Sequence, residues 1–220
     1  MAKVIIFGTS DFASLAHFYL RNDSAHEVAA FTVEREYMPD SKTFEGLPVV
    51  PFDEIKNMFP PTHYAGFAPM SHFRMNRLRE RIYSEFKSKG YDLISYVSSK
   101  ATQFPGVEIG DNCFILEDNT LQPFSRIGAD VVLWSGNHVG HHSVLGNHTF
   151  VSSHVVISGH CMIGQNVFLG VNATIRDRVT LGDHTYVGMA AAVLRDTPAL
   201  AVVKGNPGEL MKITSERLDR

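Results

Sequence analysis

From Ile109 to Val193 every sixth residue is aliphatic: Ile109, Ile115, Leu121, Ile127, Leu133, Val139, Leu145, Val151, Ile157, Ile163, Leu169, Ile175, Leu181, Val187 and Val193. A helix places apolar residues three or four apart and a half-buried strand places them two apart, so a strict six fits neither. It fits a triangular column of short strands, three to a turn. One aliphatic side chain from each strand points to the axis, and successive turns stack at the usual strand spacing of about 4.8 Å. One turn is then eighteen residues. In rows of that length Phe114, Phe150, Phe168 and Tyr186 align in one column, interrupted by Val132, and small residues such as Cys113, Ser143, Cys161 and Ala173 fill inward slots. A glycine follows the aliphatic residue that heads each row. Asn112, Asp130, His148, Asn166 and His184 form a further column; Asn, Asp and His tolerate positive φ better than most residues, which predicts corners there.

Before the repeat, apolar runs alternate with helical patterns. Residues 3–8, ending in Gly8, read as a buried parallel strand. Thr9, Ser10 and Asp11 supply helix-capping side chains for a helix over 12–20. Strands follow at 28–33, 47–50, 63–68 and 92–97, with helices at 53–59 and 73–89, the latter stopped by Gly90. Such alternation predicts a small Rossmann-like parallel α/β sheet. The expected division is 1–98 for this domain, 99–198 for the β-helix and 199–220 for a C-terminal loop and tail.

Composition narrows the function. A net charge of −3 speaks against a general nucleic-acid binder, whose footprint is basic. No apolar run approaches the ~20 residues that span a bilayer, and the first residues, MAKVIIFG, lack the layout of a signal peptide. The expectation is a cytoplasmic protein with no membrane insertion. Cys113 and Cys161 fall in inward slots, which reads as packing. Eleven histidines are the oddity, with His138, His141, His142, His148, His154, His160 and His184 inside the repeat.

The strand, Gly8, Thr9-Ser10, helix succession can cradle a phosphate at a helix N-terminus. The run GTSDFA lacks the G-x-G-x-x-G of dinucleotide binding, and Asp11 repels a diphosphate. The basic residues Arg74, Arg77, Arg79, Arg81, Lys87 and Lys89 read as a solvated helix face, with a phosphate contact as the other reading.

The repeat resembles the [LIV]-G-x-x-x-x hexapeptide of left-handed β-helix acyltransferases. Together with the α/β domain opening on a G-x-S turn and the G-N-P of Lys204-Gly205-Asn206-Pro207-Gly208, it resembles the bacterial sugar acyltransferases of the PglD, NeuD and perosamine N-acetyltransferase type over almost the whole chain. The resemblance implies a left-handed column, a homotrimer, and acetyl-CoA lying along the β-helix between subunits. It implies a nucleotide-linked amino sugar, of the deoxy kind used in surface glycans such as O-antigen, held by the N-terminal domain. His141 matches the general base, attacking directly without an acyl-enzyme. The acidic residue that usually follows the base is here His142, so the base's orientation falls to His142, Asp118, Asp130 or a neighbouring chain's carboxylate. Gly159 matches the amide facing the thioester carbonyl; His160, Val171, Gly188, Lys204 and Pro207 match the coenzyme side, and Thr9, Ser10 and Glu34 the nucleotide side. No metal is expected. The other readings are sugar O-acetylation on the same scaffold, a zinc site like that of γ-class carbonic anhydrases built from His138, His141, His142, His154 and His160, and a non-catalytic scaffold.

Overall fold

Every sixth residue from Gly106 to Ala190 has positive φ, between +54° and +83°. The computed structural model, which describes residues 1–206, thus has three corners in every eighteen-residue turn, where the sequence flagged one column. Gly106 and Gly136 take this conformation freely; Asn, Asp and His are well suited to it, and Phe124, Arg178 and Ala190 adopt it against their preference. Between corners lie two-residue strands that pair in parallel with a register of eighteen, as in Phe150 with Phe168 and Leu145 with Ile163. They make ladders of seven, six and five strands. The aliphatic slots from Ile115 to Val193 are all buried, none more than 4% exposed. Full burial of such a side chain is worth about 1.5–3 kcal/mol, so the spine of these residues is what holds the column closed.

The row-head glycines are required by coil stacking. A Cβ on Gly146 would lie 2.6 Å from the carbonyl carbon of Gly164 in the next turn.

The prism has three faces. One carries the aromatic column, with Phe150, Phe168 and Tyr186 stacked ring on ring; a second carries His138 and Val156, and a third Val144 and Met162. The edge between the second and third faces bears Phe124, His142, His160 and Arg178. The edge between the third and aromatic faces bears Asn112, Asp130, His148, Asn166 and His184. The remaining edge bears Asp118, Gly136, His154, Asn172 and Ala190.

The N-terminal domain comprises β1 (Lys3–Phe7), α1 (Asp11–Asn22), β2 (Glu27–Val33), β3 (Thr43–Phe44), β4 (Leu47–Pro51), α2 (Ile55–Met58), β5 (Tyr64–Phe67) and α3 (Arg77–Ser88). Its sheet runs β3-β4-β2-β1-β5 and is parallel apart from the β3–β4 hairpin. Residues alternate along β1: Val4 and Ile6 join α1 and the aromatic face of the prism in one core, while Ile5 and Phe7 join Ile82 and Phe86 of α3 in another.

Three boundaries differ from expectation. The strand expected at 92–97 divides: Leu93 bridges Gly66, but Tyr96–Val97 pairs with Phe114–Ile115 as the first strand of the prism. Val202–Val203, expected in the tail, pairs with Tyr186–Val187 as its last. Helix α3 starts four residues later than the start at 73 expected from sequence, because Arg74, Met75 and Asn76 all have positive φ.

Helix α3 is the strut that fixes the two domains. Arg79, read from sequence as part of a solvated face, is fully buried, and so is Asp130 opposite it. Its guanidinium pairs with Asp130 Oδ1 at 3.1 Å and donates to the His148 carbonyl at 2.6 Å. Asp130 also accepts from Asn112 at 2.7 Å and lies 2.7 Å from His148 Nδ1. Asn76 donates to the carbonyls of Asn166 and Val167. The corner column identified from sequence is therefore the seam along which the prism meets α3: the charge of Asp130 is met by Arg79, Asn112 and His148, as buried charge requires, while Asn166 Oδ1 and His184 Nδ1 are buried without a partner among the described residues.

Candidate functional site

His141 and His142 stand at a corner between the second and third faces, both exposed. Their Nδ1 atoms are 3.1 Å apart. His142 takes the positive φ of the corner (+59°) and His160, one turn on, repeats it (+56°), so their rings stack at 4.9 Å with planes 12° apart. Phe124, one turn before, lies 4.8 Å from His142. The His141 ring stands perpendicular to both imidazoles, 5.0 Å from His160, and its backbone amide donates to Gln122 Oε1 at 2.9 Å. Partial desolvation, followed by the charges of Arg178 and the neighbouring imidazoles, holds the His160 pKa below the ordinary histidine value.

Gly159 lies under the His141 ring: a Cβ there would sit 2.8 Å from Nε2 and 2.9 Å from Cε1. Its amide, expected to face a thioester carbonyl, donates to Asp177 Oδ1 at 2.9 Å. The same bond recurs one turn apart at Ala129 to Asn147 and Gln165 to Asp183, so it belongs to coil stacking. The oxyanion role expected for Gly159 requires Asp177 to release that amide. What the geometry assigns to this glycine directly is room for the imidazole.

Of the acids considered for orienting His141, Asp130 is committed to Arg79 and His148, and Asp118 stands on a different edge. His142 makes the contact.

Thr9, Ser10 and Glu34, matched from sequence to the nucleotide side, line one pocket. With Gly8, Tyr37, Phe73, Arg74 and Arg81 they line a pocket of about 580 Å³ at the carboxyl end of β1 and β2, the place where open α/β sheets bind ligands. Gly8 turns at φ +110° and Ser10 sits at the N-cap of α1 without a side-chain cap bond, which leaves the helix N-terminus facing the pocket. Arg81 pairs with Glu34 at 2.9 Å. Tyr37 and Phe73 are 64% and 70% exposed at this site. The sequence reading missed Tyr37 and Phe73 as site residues and read Arg74 and Arg81 as a solvated face first and a phosphate contact second; no local motif marks them.

The residues matched to the coenzyme do not cluster. Gly159 and His160 flank His141. Val171 lines a smaller apolar pocket of about 270 Å³ with Phe12, His72 and Trp134, against the N-terminal domain. Gly188 donates its amide to Val203 and packs against Gly205, beside exposed Lys204. Pro207 lies outside the described residues. Of the histidines in the zinc reading, only His141, His142 and His160 come together; His138 is on a face and His154 at the opposite edge, its ring against Gly136.

A family model described as hexapeptide repeat of succinyl-transferase matches residues 161–195. No curated protein matches the chain by sequence. Among solved structures, PerB from Caulobacter crescentus, in complex with CoA and GDP-perosamine, is 25% identical with a TM-score of 0.80, covering 93% of this chain and 95% of that one. A histidine-to-asparagine mutant of perosamine N-acetyltransferase from the same organism, with the same ligands, is 24% identical with a TM-score of 0.82 over 97% and 98% of the two chains. The acetyltransferase domain of PglB from Neisseria gonorrhoeae is 20% identical with a TM-score of 0.79 over 96% and 100%. The architecture is that of the hexapeptide-repeat acyltransferases, a left-handed parallel β-helix behind a small α/β domain. The likeness read from the sequence, to sugar acyltransferases of the perosamine and Pgl type, holds over both domains.

Proposed function

We propose that the protein is an acetyl-CoA-dependent N-acetyltransferase acting on a nucleotide-linked amino sugar, with His141 as general base. The observation that carries this is the His141–His142 pair. A neutral imidazole donating from Nδ1 to its neighbour keeps the lone pair on Nε2, and that nitrogen is the one free to take a proton from an incoming amine. His142 then does by a neutral acceptor what a carboxylate does elsewhere. The solved relatives with CoA and GDP-perosamine bound support acetyl-CoA as the donor and a nucleotide-linked amino sugar as the acceptor.

The N-terminal pocket supplies the parts a nucleotide diphosphate needs. The α1 N-terminus and Arg74 face anionic oxygens, and the exposed rings of Tyr37 and Phe73 give a base something to stack on. Arg81 is shared between Glu34 and Glu85, which leaves Arg74 to offset Asp11. The acetyl group moves from sulfur to nitrogen without an acyl-enzyme: the amine attacks the thioester carbon, His141 takes its proton, and the coenzyme leaves as a thiolate.

A homotrimer is the assembly that reconciles the split coenzyme residues. His141 and Gly159 occupy one edge of the prism, while Val171, Gly188, Lys204 and the N-terminal pocket lie toward another. Neighbouring columns packed edge to edge bring the two halves to one seam, with the base of one chain beside the sugar held by the next. The role fits a cytoplasmic step in making a surface glycan such as O-antigen, where acetyl-CoA and nucleotide sugars are both at hand.

A thiol-release assay with acetyl-CoA and a panel of GDP-, UDP- and dTDP-linked amino sugars tests the reading, with the matching hydroxy sugars as the O-acetylation arm. Release that depends on one amino sugar, whose binding also raises the melting temperature, supports it. Release with none of them overturns it.

A further inference from the structure

We infer that His141, His142 and His160 form a binding site for a zinc-class divalent cation, and that occupation of this site switches the proposed base off. Each of the three residues offers a ring nitrogen, and these atoms all lie within 4.8 Å of one another; among the described residues no other such cluster occurs. The Nδ1 atoms of His141 and His142, 3.1 Å apart, are spaced as two ligands on one ion should be, given Zn–N bonds of about 2.0–2.1 Å and tetrahedral angles. Corner conformation fixes the backbones of His142 and His160 one turn apart, so the third imidazole needs only to swing out of its stack with His142. Both corner residues have side-chain surface open to solvent, which permits that rotation. Three nitrogen ligands leave a fourth position for water or a substrate atom, and imidazole is a preferred ligand for zinc. The charge of Arg178 opposes a cation beside His160, and that of Asp177, whose Oδ1 accepts from the Gly159 amide, favours it.

The chemistry explains why binding silences the base. A metal on His141 Nδ1 displaces the proton shared with His142. Neutral imidazole keeps one proton, so that proton resides on Nε2. The lone pair that accepts from the amine is then gone, although the metal sits on the other nitrogen. This consequence rests on the reading of His141 as base; the binding itself does not.

The test uses the full chain, stripped with a chelator. Zinc is titrated by calorimetry, and cobalt(II) is added as a coloured surrogate with a visible absorption band when tetrahedral. One equivalent per chain in the micromolar range is expected. His142→Asn and His160→Asn, which keep a residue suited to positive φ, should each weaken binding at least tenfold, while His138→Ala binds as before. Absence of saturable binding, or a His160→Asn variant that binds like the parent, overturns the site. In the second arm zinc abolishes acetyl transfer and chelator restores it. Stoichiometric binding with undiminished transfer would leave the site standing and overturn His141 as the base.

Discussion

His141 and His142 meet through like atoms, Nδ1 to Nδ1 at 3.1 Å, and two neutral imidazoles hold that distance only if one donates and the other accepts. The donor's remaining nitrogen carries the lone pair. If His141 is the donor, His142 is a positioning residue that sets its tautomer without touching substrate. His142→Ala is therefore expected to lower kcat about 10- to 100-fold, by analogy with the loss of groups that orient functional histidines, with KM changed little. His142→Asp, which supplies an acceptor and tolerates the corner, should recover most of that loss. A uniform fall in kcat and rise in KM for both variants would make His142 merely structural.

Gly159→Ala should act on the base without harming the fold. The added Cβ meets the His141 ring at 2.8 Å, and an exposed side chain yields more readily than backbone. The imidazole moves, and a displacement of about 1 Å can cost on the order of 100-fold in rate. Steady-state kinetics should show the fall in kcat with the melting temperature unchanged.

Arg79 is a stability residue, not a substrate contact. Arg79→Ala removes the guanidinium paired with buried Asp130 and leaves that carboxylate only Asn112 and His148; breaking a buried ion pair costs about 3–5 kcal/mol. The double variant Arg79→Leu with Asp130→Asn removes both charges and should recover part of the loss in denaturant unfolding. A single variant as stable as the parent would contradict the strut assigned to α3.

Asp23 ties the end of α1 to the first strand of the prism. It accepts from Tyr96 Oη at 2.6 Å, the Ser99 amide at 2.9 Å and Ser98 Oγ at 3.1 Å. Hydrogen bonds from Ser99, then Tyr96, hold its carboxyl down to about 2, against an ordinary 3.8. A carboxyl with a depressed folded pKa stabilises the fold above its unfolded value, and that contribution is lost as pH falls through the folded one. Asp23→Asn should lower the melting temperature at pH 7, and the difference should shrink steadily from about pH 4 down to pH 2, with only a small remainder there. A gap at pH 2 as large as that at pH 7 would assign the effect to something other than the charge.

The prism was legible because each turn must put an aliphatic residue on the axis, and no competing pattern repeats at six. Corners were harder to see. Asn112, Asp130 and His148 advertise positive φ, but Phe124, Arg178 and Ala190 adopt it only because coil geometry demands three corners per turn. That geometry also explains His142 and His160, whose stacking follows from shared corner conformation, whatever chemistry they perform. Arg79 was hidden for a different reason. In a run of basic residues nothing local distinguishes the one whose partner, Asp130, is 51 residues away. Tyr37 and Phe73 escaped notice likewise, because a pocket assembled from three loops leaves no spacing to read. His141 was singled out by resemblance and the Thr9-Ser10 turn already by its strand-glycine-helix succession; in the structure His142 lies beside the one and a pocket beside the other.

The most direct test compares the parent with His141→Asn under saturating acetyl-CoA and the amino sugar that the panel selects. General-base assistance is typically worth about 100- to 10,000-fold. The account predicts a loss of that size in kcat with both ligands still bound, and full activity in the His141→Asn variant would contradict it.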